Sequence, residues 1–467
     1  MPTRDCILLY NPITNEGHLD SWHVLFIEAF LKAGWAVLAM TSDLAGLQRK
    51  LMQKGLVDHE ALTLHSISSN NAASKGQTSN VIHQAKKIAT WLEAKTEIKL
   101  GQWLRNLKGA FQATEKREQA ELASKHLDPQ LFCDQVNQVL SQHSKKVTVV
   151  FNMYVDAYMP TPNAWQQFGF VSPSPWMSLC ITPDQLLPLQ GDVNTLAPYY
   201  SMAAYRGTCF LDEALLERYR ARWPDKKFEY LPDITETALL TQPTPLAAQI
   251  KQQAAGRKIV FMGGSIGKQK NLAQWVKLIQ QADSAQWYFV QIGRININNL
   301  TSEDIAALAS LRVTAPKNLY SHDGYLSDEL AFNDVIAVAD VIFAVYKDFY
   351  RSSNMLSKAA YFEKPILVAS NCLMGARVTK YGIGLAVAHN DGQAIYQGLI
   401  DLLQLQSLAT HFATYRQDFN QQALQNKLIG FVRTCLEQWP STTAASAISG
   451  SAATAPSSVK PPFERTH

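Results

Sequence analysis

The segment IVFMGGSIGKQKNLAQWVKLIQQA, residues 259–282, indicates the class of fold. Its first four residues, Ile259–Met262, form a short apolar run that is typical of a buried strand. Its last eleven, Leu272–Ala282, repeat apolar residues at helical spacing. The glycine-containing segment between them continues neither the apolar run nor the helical spacing. The stretch therefore predicts a strand, a loop and a helix, the repeating unit of a parallel sheet covered by helices.

Residues 263–271, the loop of this unit, have the composition of an anion-binding turn. Glycines let backbone N–H groups approach a phosphate closely, and the start of the following helix adds positive potential. We expect Lys268 or Lys270 to neutralise the charge of the phosphate. Because Gln269 follows the pair Gly267-Lys268, the loop lacks the GxxxxGK[ST] pattern, which argues against a Walker-type ATPase. A flexible surface turn is the alternative interpretation.

The same alternation of strand and helix extends over most of the chain. In the second half we predict strands at 259–262, 287–292, 341–345, 366–369 and 384–387, and helices at 272–282, 328–338, 355–362, 393–403 and within 404–437. In the first half we predict strands at 6–10, 35–40, 61–64, 147–151, 176–181, 208–211 and 228–231. These elements predict two doubly wound, Rossmann-like α/β domains at 1–240 and 241–437, followed by a disordered Ser/Ala/Thr-rich tail at 438–467.

The composition excludes several classes of protein. Of the 467 residues, 47% are hydrophobic and 18% charged, which is enough apolar mass for two cores and too little charge for a disordered chain. A net charge of only +4 argues against nucleic-acid binding. The six cysteines are scattered, with no CxxC pair, which favours reduced thiols over disulfides or structural zinc. With no signal-peptide pattern and no apolar run near 20 residues, we expect a cytoplasmic protein.

Residues 86–117 do not fit a plain sheet-and-helix unit. They carry eight basic residues against three acidic ones, interleaved with apolar residues that include Trp91 and Trp103. This pattern predicts a basic amphipathic helix or helix pair inserted in the first domain. Such a helix can bind the anionic inner face of a membrane, or it can pack its apolar side on the domain and leave a solvated basic side.

Ligands of open α/β sheets bind beyond the carboxyl ends of the strands, so the loops that follow strands are the candidate sites. In the loop after the first strand, His18 and Asp20 are candidate catalytic residues, although Asp20 is also a suitable helix cap. After the strand 147–151, Asp156 is the natural general base if the reaction inverts configuration, because an acceptor hydroxyl needs a proton acceptor. Asp156 can equally satisfy backbone donors of its own loop.

Two further loops of the second half have anion-binding chemistry. Arg294 follows the strand 287–292 and can bind a phosphate or stack on a base. Ser352, Ser353 and Asn354 stand between the strand 341–345 and the next helix. The backbone N–H groups there can donate to a capping side chain or to a diphosphate.

The second half resembles the carboxyl-terminal domain of GT-B fold glycosyltransferases, notably the retaining glycosyltransferase family 4 and its relatives. The matching stretches are 261–271, 319–325 with Glu329-Leu330, 339–346 and 358–369, and the link 230–233 is similar to the crossing into the family's donor domain. The resemblance covers about residues 5–435. It implies two Rossmann-like domains facing a cleft, and transfer of a sugar from a nucleotide-sugar to an acceptor without a metal or other cofactor.

The resemblance also implies roles for individual residues. In that family a basic residue at the position of Lys270 neutralises the leaving diphosphate, and the helix that starts near Ser353 donates backbone N–H groups to it. The Glu-x7-Glu motif of the family is absent, because Tyr350 and Lys358 occupy its two positions. We assign the donor diphosphate and nucleotide to Gly264, Ser265, Lys270, Asn271, Arg294, Tyr325, Ser352, Ser353, Asn354 and Lys358.

These observations predict a glycosyltransferase that acts on a sugar, lipid or protein acceptor in polysaccharide, glycolipid or glycoprotein synthesis, with a possible anionic membrane contact through 86–117. The missing motif keeps two alternatives open. One is a non-catalytic GT-B subunit that supports a partner transferase. The other is a GT-B fold nucleotide-sugar epimerase, which needs no acceptor.

Overall fold

The computed structural model describes residues 5–13, 18–67, 129–143, 147–158, 174–181, 198–324, 326, 329–406, 408–437 and 439. The predicted basic helices at 86–117 lie outside the described residues, as does almost all of the tail predicted at 438–467. Both remain predictions.

The first domain contains a seven-stranded parallel sheet. Its strands are β1 (Cys6–Asn11), β2 (Ala36–Thr41), β3 (Leu62–Ser66), β4 (Val149–Asn152), β5 (Trp176–Cys180), β6 (Tyr205–Phe210) and β7 (Lys227–Tyr230). They lie in the order β3-β2-β1-β4-β5-β6-β7. Every residue of β1 is buried, as expected for a strand that is covered by helices on both faces.

The second domain contains a six-stranded parallel sheet. Its strands are β8 (Lys258–Gly263), β9 (Trp287–Ile292), β10 (Leu319–His322), β11 (Val341–Ala344), β12 (Ile366–Ala369) and β13 (Gly384–Val387). Their order, β10-β9-β8-β11-β12-β13, repeats the arrangement of the first six strands of the first sheet. The predicted fold class, two Rossmann-like α/β domains, is confirmed.

Helices connect these strands. The described α-helices are α1 (His18–Lys32), α2 (Leu44–Gln53), α3 (Pro129–Gln142), α4 (Leu216–Arg222), α5 (Pro245–Ala254), α6 (Leu272–Gln281), α7 (Ser302–Thr314), α8 (Glu329–Val338), α9 (Met355–Tyr361), α10 (Leu373–Tyr381), α11 (Gly392–Leu402), α12 (Leu408–Asp418) and α13 (Gln421–Glu437).

The strand order places each sheet's reversal point at a definite pair of strands. Successive strands are added toward one edge of the sheet and then toward the other. This change of direction falls between β1 and β4 in the first domain, and between β8 and β11 in the second. Loops at the carboxyl ends of such strand pairs diverge to opposite faces and leave a crevice between them, which is where open α/β sheets bind ligands. The predicted catalytic loops follow β1 and β4, and the predicted phosphate loops follow β8 and β11.

Some elements differ from the sequence prediction for identifiable reasons. β6 begins at Tyr205 rather than Thr208, because the Tyr205 hydroxyl is buried and lies 2.6 Å from both Ser178 Oγ and Thr208 Oγ1. β10 was not predicted, since this partly exposed strand reads Leu-Tyr-Ser-His. Helix α7 was also missed: its interior has little amphipathic contrast, and its start is fixed by a capping box between Thr301 and Asp304.

The last helix returns to the first domain. α13 packs against α1 and against the edge strand β7. Lys427 of α13 donates to Glu229 Oε1 at 3.1 Å, and its ammonium lies 3.9 Å from the centre of the Tyr230 ring. The two domains are therefore joined by the carboxyl-terminal helix as well as by the link that follows β7.

Within the described ranges, no helix has both the length and the apolar character that a membrane crossing requires.

His23 makes the stability of the first domain depend on pH. It lies in α1 with 1% of its surface exposed, and no described residue hydrogen-bonds its Nε2 atom. Burial, reinforced by the charge of Lys50, lowers the pKa of His23 to about 3. The unfolded chain therefore takes up a proton at a higher pH than the folded chain does, and stability is lost as the pH falls below the ordinary histidine range.

We predict that the free energy of unfolding falls between pH 7 and pH 4.5, and that His23→Met makes this fall smaller by more than about 1 kcal/mol. Urea titrations at each pH measure it, with the exposed His411→Met as the matched control. Equal pH dependence of wild type and His23→Met would show that His23 does not contribute.

Candidate functional site

The loops after β8 and β11 meet at the carboxyl edge of the second sheet. Lys347 N–H donates to the carbonyl of Gln269 at 2.9 Å, and the side-chain amide of Asn271 donates to the carbonyl of Val345 at 3.1 Å. These contacts join residues 263–271 to residues 345–354, which are far apart in the sequence. The two loops that the sequence selects for anion binding therefore form one surface.

Lys270 lies at the junction of these loops. Its Nζ donates to the carbonyl of Gly263 at 2.9 Å and to the hydroxyl of Tyr346 at 2.7 Å, and it lies 4.2 Å from the centre of the Tyr346 ring. A lysine ammonium has three donors, so one N–H remains for another acceptor. The side chain is half-buried, and no carboxylate of the described chain pairs with it. The site therefore holds a fixed positive charge.

The backbone beside Lys270 is open and adopts a conformation that favours glycine. Gly264 has φ +98°, and its N–H donates to the carbonyl of Ile292 at 3.0 Å. Ser265 at the tip is exposed, and its backbone N–H has no acceptor among the described residues. A Cβ on Gly264 would lie 3.5 Å from Lys270 Nζ, so glycine keeps the approach to the ammonium clear.

Asn271 holds three loops of the carboxyl edge together. It is 4% exposed with φ +56°, a conformation that asparagine tolerates better than most residues. Its amide nitrogen donates to the carbonyls of Val345 and His389, at 3.1 and 2.7 Å. The structure thus places this predicted ligand-binding side chain between two backbone oxygens, where it positions the loops after β8, β11 and β13.

Arg294 reaches the same edge from the neighbouring strand β9. Its carbonyl accepts from Ile266 N–H at 2.9 Å, which ties it to the glycine-rich loop. Its side chain is exposed, and its guanidinium makes no hydrogen bond or ion pair with the described part of the chain. It is therefore free to meet an anion.

The Ser-Ser-Asn segment is already engaged within the protein. Ser352 Oγ accepts from Arg377 Nη1 at 2.7 Å, and Ser353 Oγ accepts from Met355 N–H at 3.4 Å. The carbonyl of Asn354 accepts from Lys358 N–H at 3.0 Å, while its side chain makes no capping hydrogen bond. These contacts fix the conformation in which the loop reaches α9.

Lys358 and Tyr350, at the positions of the absent Glu-x7-Glu motif, lie in contrasting environments. Tyr350 is 59% exposed, whereas Lys358 is 0% exposed. Lys358 Nζ donates to Glu329 Oε1 at 2.6 Å, to Asn333 Oδ1 at 2.5 Å and to the carbonyl of Glu236 at 3.1 Å. Burial lowers the pKa of Lys358, and the charge of Glu329 opposes that shift. The ammonium thus ties α9 to α8 and to the link between the domains.

The first sheet presents the predicted catalytic residues at its own reversal point. Asp156 lies in a 3-10 turn after β4, where its Oδ1 accepts from Ile181 N–H at 3.4 Å. Asn152, at the end of β4, is fully buried, and no described group hydrogen-bonds its Nδ2. His18 and Asp20 lie in the first turn of α1, but their side chains are outside the described residues, as is Tyr325.

Sequence reasoning missed two residues that the site depends on. Tyr346 directly follows the predicted strand 341–345 and begins the polar loop, but it was not assigned to the site. Arg377 had no sequence signal, because its partners Glu213 and Ser352 lie 164 and 25 residues away. Among the described residues there is no cluster of three or more His, Cys, Asp or Glu side chains that could hold a metal ion.

No protein-family model matches the chain, and no curated protein matches it. Solved structures do. A glycosyltransferase from Rickettsia africae ESF-5 has a TM-score of 0.57 at 11% identity over 94% of this chain and 100% of its own. The E. coli trehalose-6-phosphate protein bound with UDP-2-fluoro glucose has a TM-score of 0.58 at 13% identity, over 94% and 100%. Sucrose-phosphate synthase from Thermosynechococcus elongatus has a TM-score of 0.57 at 13% identity, over 93% and 99%.

The likeness extends over both domains of this chain and over nearly the whole length of each neighbour. It establishes the class of fold. The chain has the GT-B arrangement of two Rossmann-like domains that glycosyltransferases of this kind share.

The loops after β8 and β9 approach each other closely at Gly264 and Gly293, and this approach can be tested. Gly293 has φ +150°, and a Cβ there would lie 1.7 Å from the carbonyl oxygen of Gly264. We predict that Gly293→Ala lowers the free energy of unfolding by about 2 kcal/mol, because the loop must shift to relieve the clash.

Gly430→Ala is the matched control. Gly430 lies inside α13, and an added Cβ meets nothing within 4 Å, so this change should raise stability by about 0.5 to 1 kcal/mol. Urea titration measures both variants. A Gly293→Ala protein as stable as wild type would mean that the two loops do not approach as described.

Proposed function

We propose that the chain is a glycosyltransferase that moves a sugar from a nucleotide-sugar to an acceptor. The observation that carries the proposal is that Lys270 and the open tip at Ser265 lie at the reversal point of the second sheet, with the exposed Arg294 following the adjacent strand β9. A diphosphate needs preorganised positive charge and backbone donors, and this surface offers both. Its position beside β8 and β11 is where open α/β sheets bind ligands.

The chemistry requires charge stabilisation at the leaving group. In the transfer, the acceptor hydroxyl oxygen bonds to the anomeric carbon while the bond from that carbon to the diphosphate oxygen breaks. The nucleoside diphosphate departs with the electron pair, and the hydroxyl proton passes to a base or to the departing phosphate. Lys270 and the loop N–H groups stabilise the developing negative charge. We expect this step to proceed in the presence of a chelator, and Asp156 is the candidate base for an inverting outcome.

The donor, the acceptor and the cellular role extend this proposal. One structural neighbour holds UDP-2-fluoro glucose and another is a sucrose-phosphate synthase, which supports a nucleotide-activated hexose as donor. The resemblance to family 4, a carbohydrate, lipid or protein acceptor, polysaccharide synthesis and attachment to the inner membrane face through 86–117 extend the proposal from the sequence.

The direct test is calorimetry with UDP, ADP and GDP. We expect one of them to bind with a free energy of about −4 to −8 kcal/mol. Absence of binding to all three would contradict the proposal.

Two lysines of the same loop make a matched pair for mutagenesis. Lys270→Met should weaken nucleoside diphosphate binding by about 10-fold or more, because a charge-assisted contact to the diphosphate is lost. Lys268→Met should have a smaller effect, since Lys268 is exposed and makes no side-chain contact with described residues. Equal effects, or an unchanged Lys270→Met protein, would remove Lys270 from the proposed site.

A non-catalytic GT-B subunit is the second candidate. The observation that favours it is the placement of Tyr350 and Lys358, because neither position presents a carboxylate. Mass spectrometry of nucleotide-sugar mixtures incubated with the protein and an acceptor panel distinguishes the two. Consumption of a donor supports the transferase, whereas nucleotide binding without consumption of any donor supports the subunit.

A further inference from the structure

Arg377 lies where residues from the carboxyl edges of the two sheets come together. It belongs to α10, which follows β12, and its side chain is 1% exposed. Leu211 and Glu213 follow β6 of the first sheet, and Ser352 follows β11 of the second. Arg377 is therefore surrounded by both domains.

All three nitrogens of the Arg377 guanidinium are engaged. Nη2 donates to Glu213 Oε2 at 2.5 Å and to the carbonyl of Leu211 at 2.6 Å, and Nε donates to Glu213 Oε1 at 3.3 Å. On the other side of the fork, Nη1 donates to Ser352 Oγ at 2.7 Å. Because the guanidinium is planar and rigid, its contacts with Glu213 and Leu211 of the first domain fix where Nη1 meets Ser352.

The pair is ionised despite its burial. Burial alone would raise the pKa of Glu213, but the hydrogen bonds and charge of Arg377 outweigh it and lower that pKa. The Phe419 ring lies 4.8 Å from the guanidinium carbon and closes the site on another side. Removing one member of such a pair leaves the other charge buried without its partner, which is strongly destabilising.

The hydrogen bond from Arg377 to Ser352 connects Arg377 to the candidate diphosphate surface. Ser352 belongs to residues 345–354, and the same segment carries Tyr346, whose hydroxyl accepts from Lys270. On the opposite side Arg377 binds Glu213 of the first domain, which makes no hydrogen bond or ion pair with Lys270 or with the glycine-rich loop among the described residues. A continuous set of contacts therefore runs from the first domain through Arg377 to the loop.

We propose that Arg377 is a positioning residue that couples the first domain to nucleoside diphosphate binding on the second. It holds Ser352, and with it the loop after β11, in the conformation that receives the diphosphate. Glu213 and Leu211 set the direction of the guanidinium, so the first domain determines how well the loop is held. This inference rests on the proposed function, since it concerns the same diphosphate surface.

The test measures the affinity for the nucleoside diphosphate that wild type binds most tightly. Glu213→Gln keeps the shape of the side chain and removes the charge that orients Arg377. We expect it to weaken binding by about fivefold, the scale of one lost hydrogen bond, although Glu213 lies in the other domain. Glu217→Gln, the same change on an exposed residue four positions later, is the matched control and should bind as wild type does.

A double-mutant cycle with Ser352→Ala separates positioning from a direct contact. Once the contact from Arg377 to Ser352 is removed, Glu213→Gln should have no further effect on affinity, because both changes interrupt one path. If Ser352 instead contacts the diphosphate directly and Arg377 only braces the domains, Glu213→Gln leaves affinity within twofold of wild type, or the two effects multiply. Either result overturns the inference.

Arg377→Lys provides a second readout that does not depend on the Glu213 variant folding well. Lysine keeps the charge but not the planar fork, so it should recover the melting temperature lost in Arg377→Met more fully than it recovers nucleoside diphosphate affinity. Equal recovery of the two properties would indicate a purely structural brace. If the wild-type protein binds no nucleoside diphosphate, the proposed function itself is contradicted. The measurement on wild type therefore distinguishes failure of the proposed function from failure of this inference.

Discussion

The contact of the Lys270 ammonium with Gly263 and Tyr346 is the interaction on which the candidate site depends. It joins the loops after β8 and β11 through one charge, and it keeps a third donor for a ligand. The strand order makes this contact attainable, since β8 and β11 are neighbours in the sheet although almost 80 residues separate them. Parallel pairing then brings both loops to the same edge.

Two buried cationic side chains, each paired with a glutamate, link the second domain to the first domain or to the segment between them. Lys358 is paired with Glu329 and bound to the interdomain link, and Arg377 is paired with Glu213 across the domain boundary. Buried ion pairs add little net stability over apolar packing, but their geometry is specific and costly to break. Such contacts suit a boundary at which the relative placement of two domains must be maintained.

The sequence predicted the fold well because many of the strands that form the two cores are continuous apolar runs, such as Ile366–Ala369. It also selected the loops that meet at the carboxyl edge. It did not predict how Asn271, Ser352 and Lys358 are used, since each is bound by groups distant in the sequence. Residue type alone does not distinguish an amide or ammonium that meets a ligand from one that binds a carbonyl oxygen inside the fold.

A crystal structure of the chain with its preferred nucleoside diphosphate would test the candidate site. We expect electron density for both phosphate groups between residues 263–271 and 346–354, with a phosphate oxygen within hydrogen-bonding distance of Lys270 Nζ. Density for the nucleotide at any other surface, or a bound diphosphate with no oxygen within hydrogen-bonding distance of Lys270 Nζ, would contradict the proposed site.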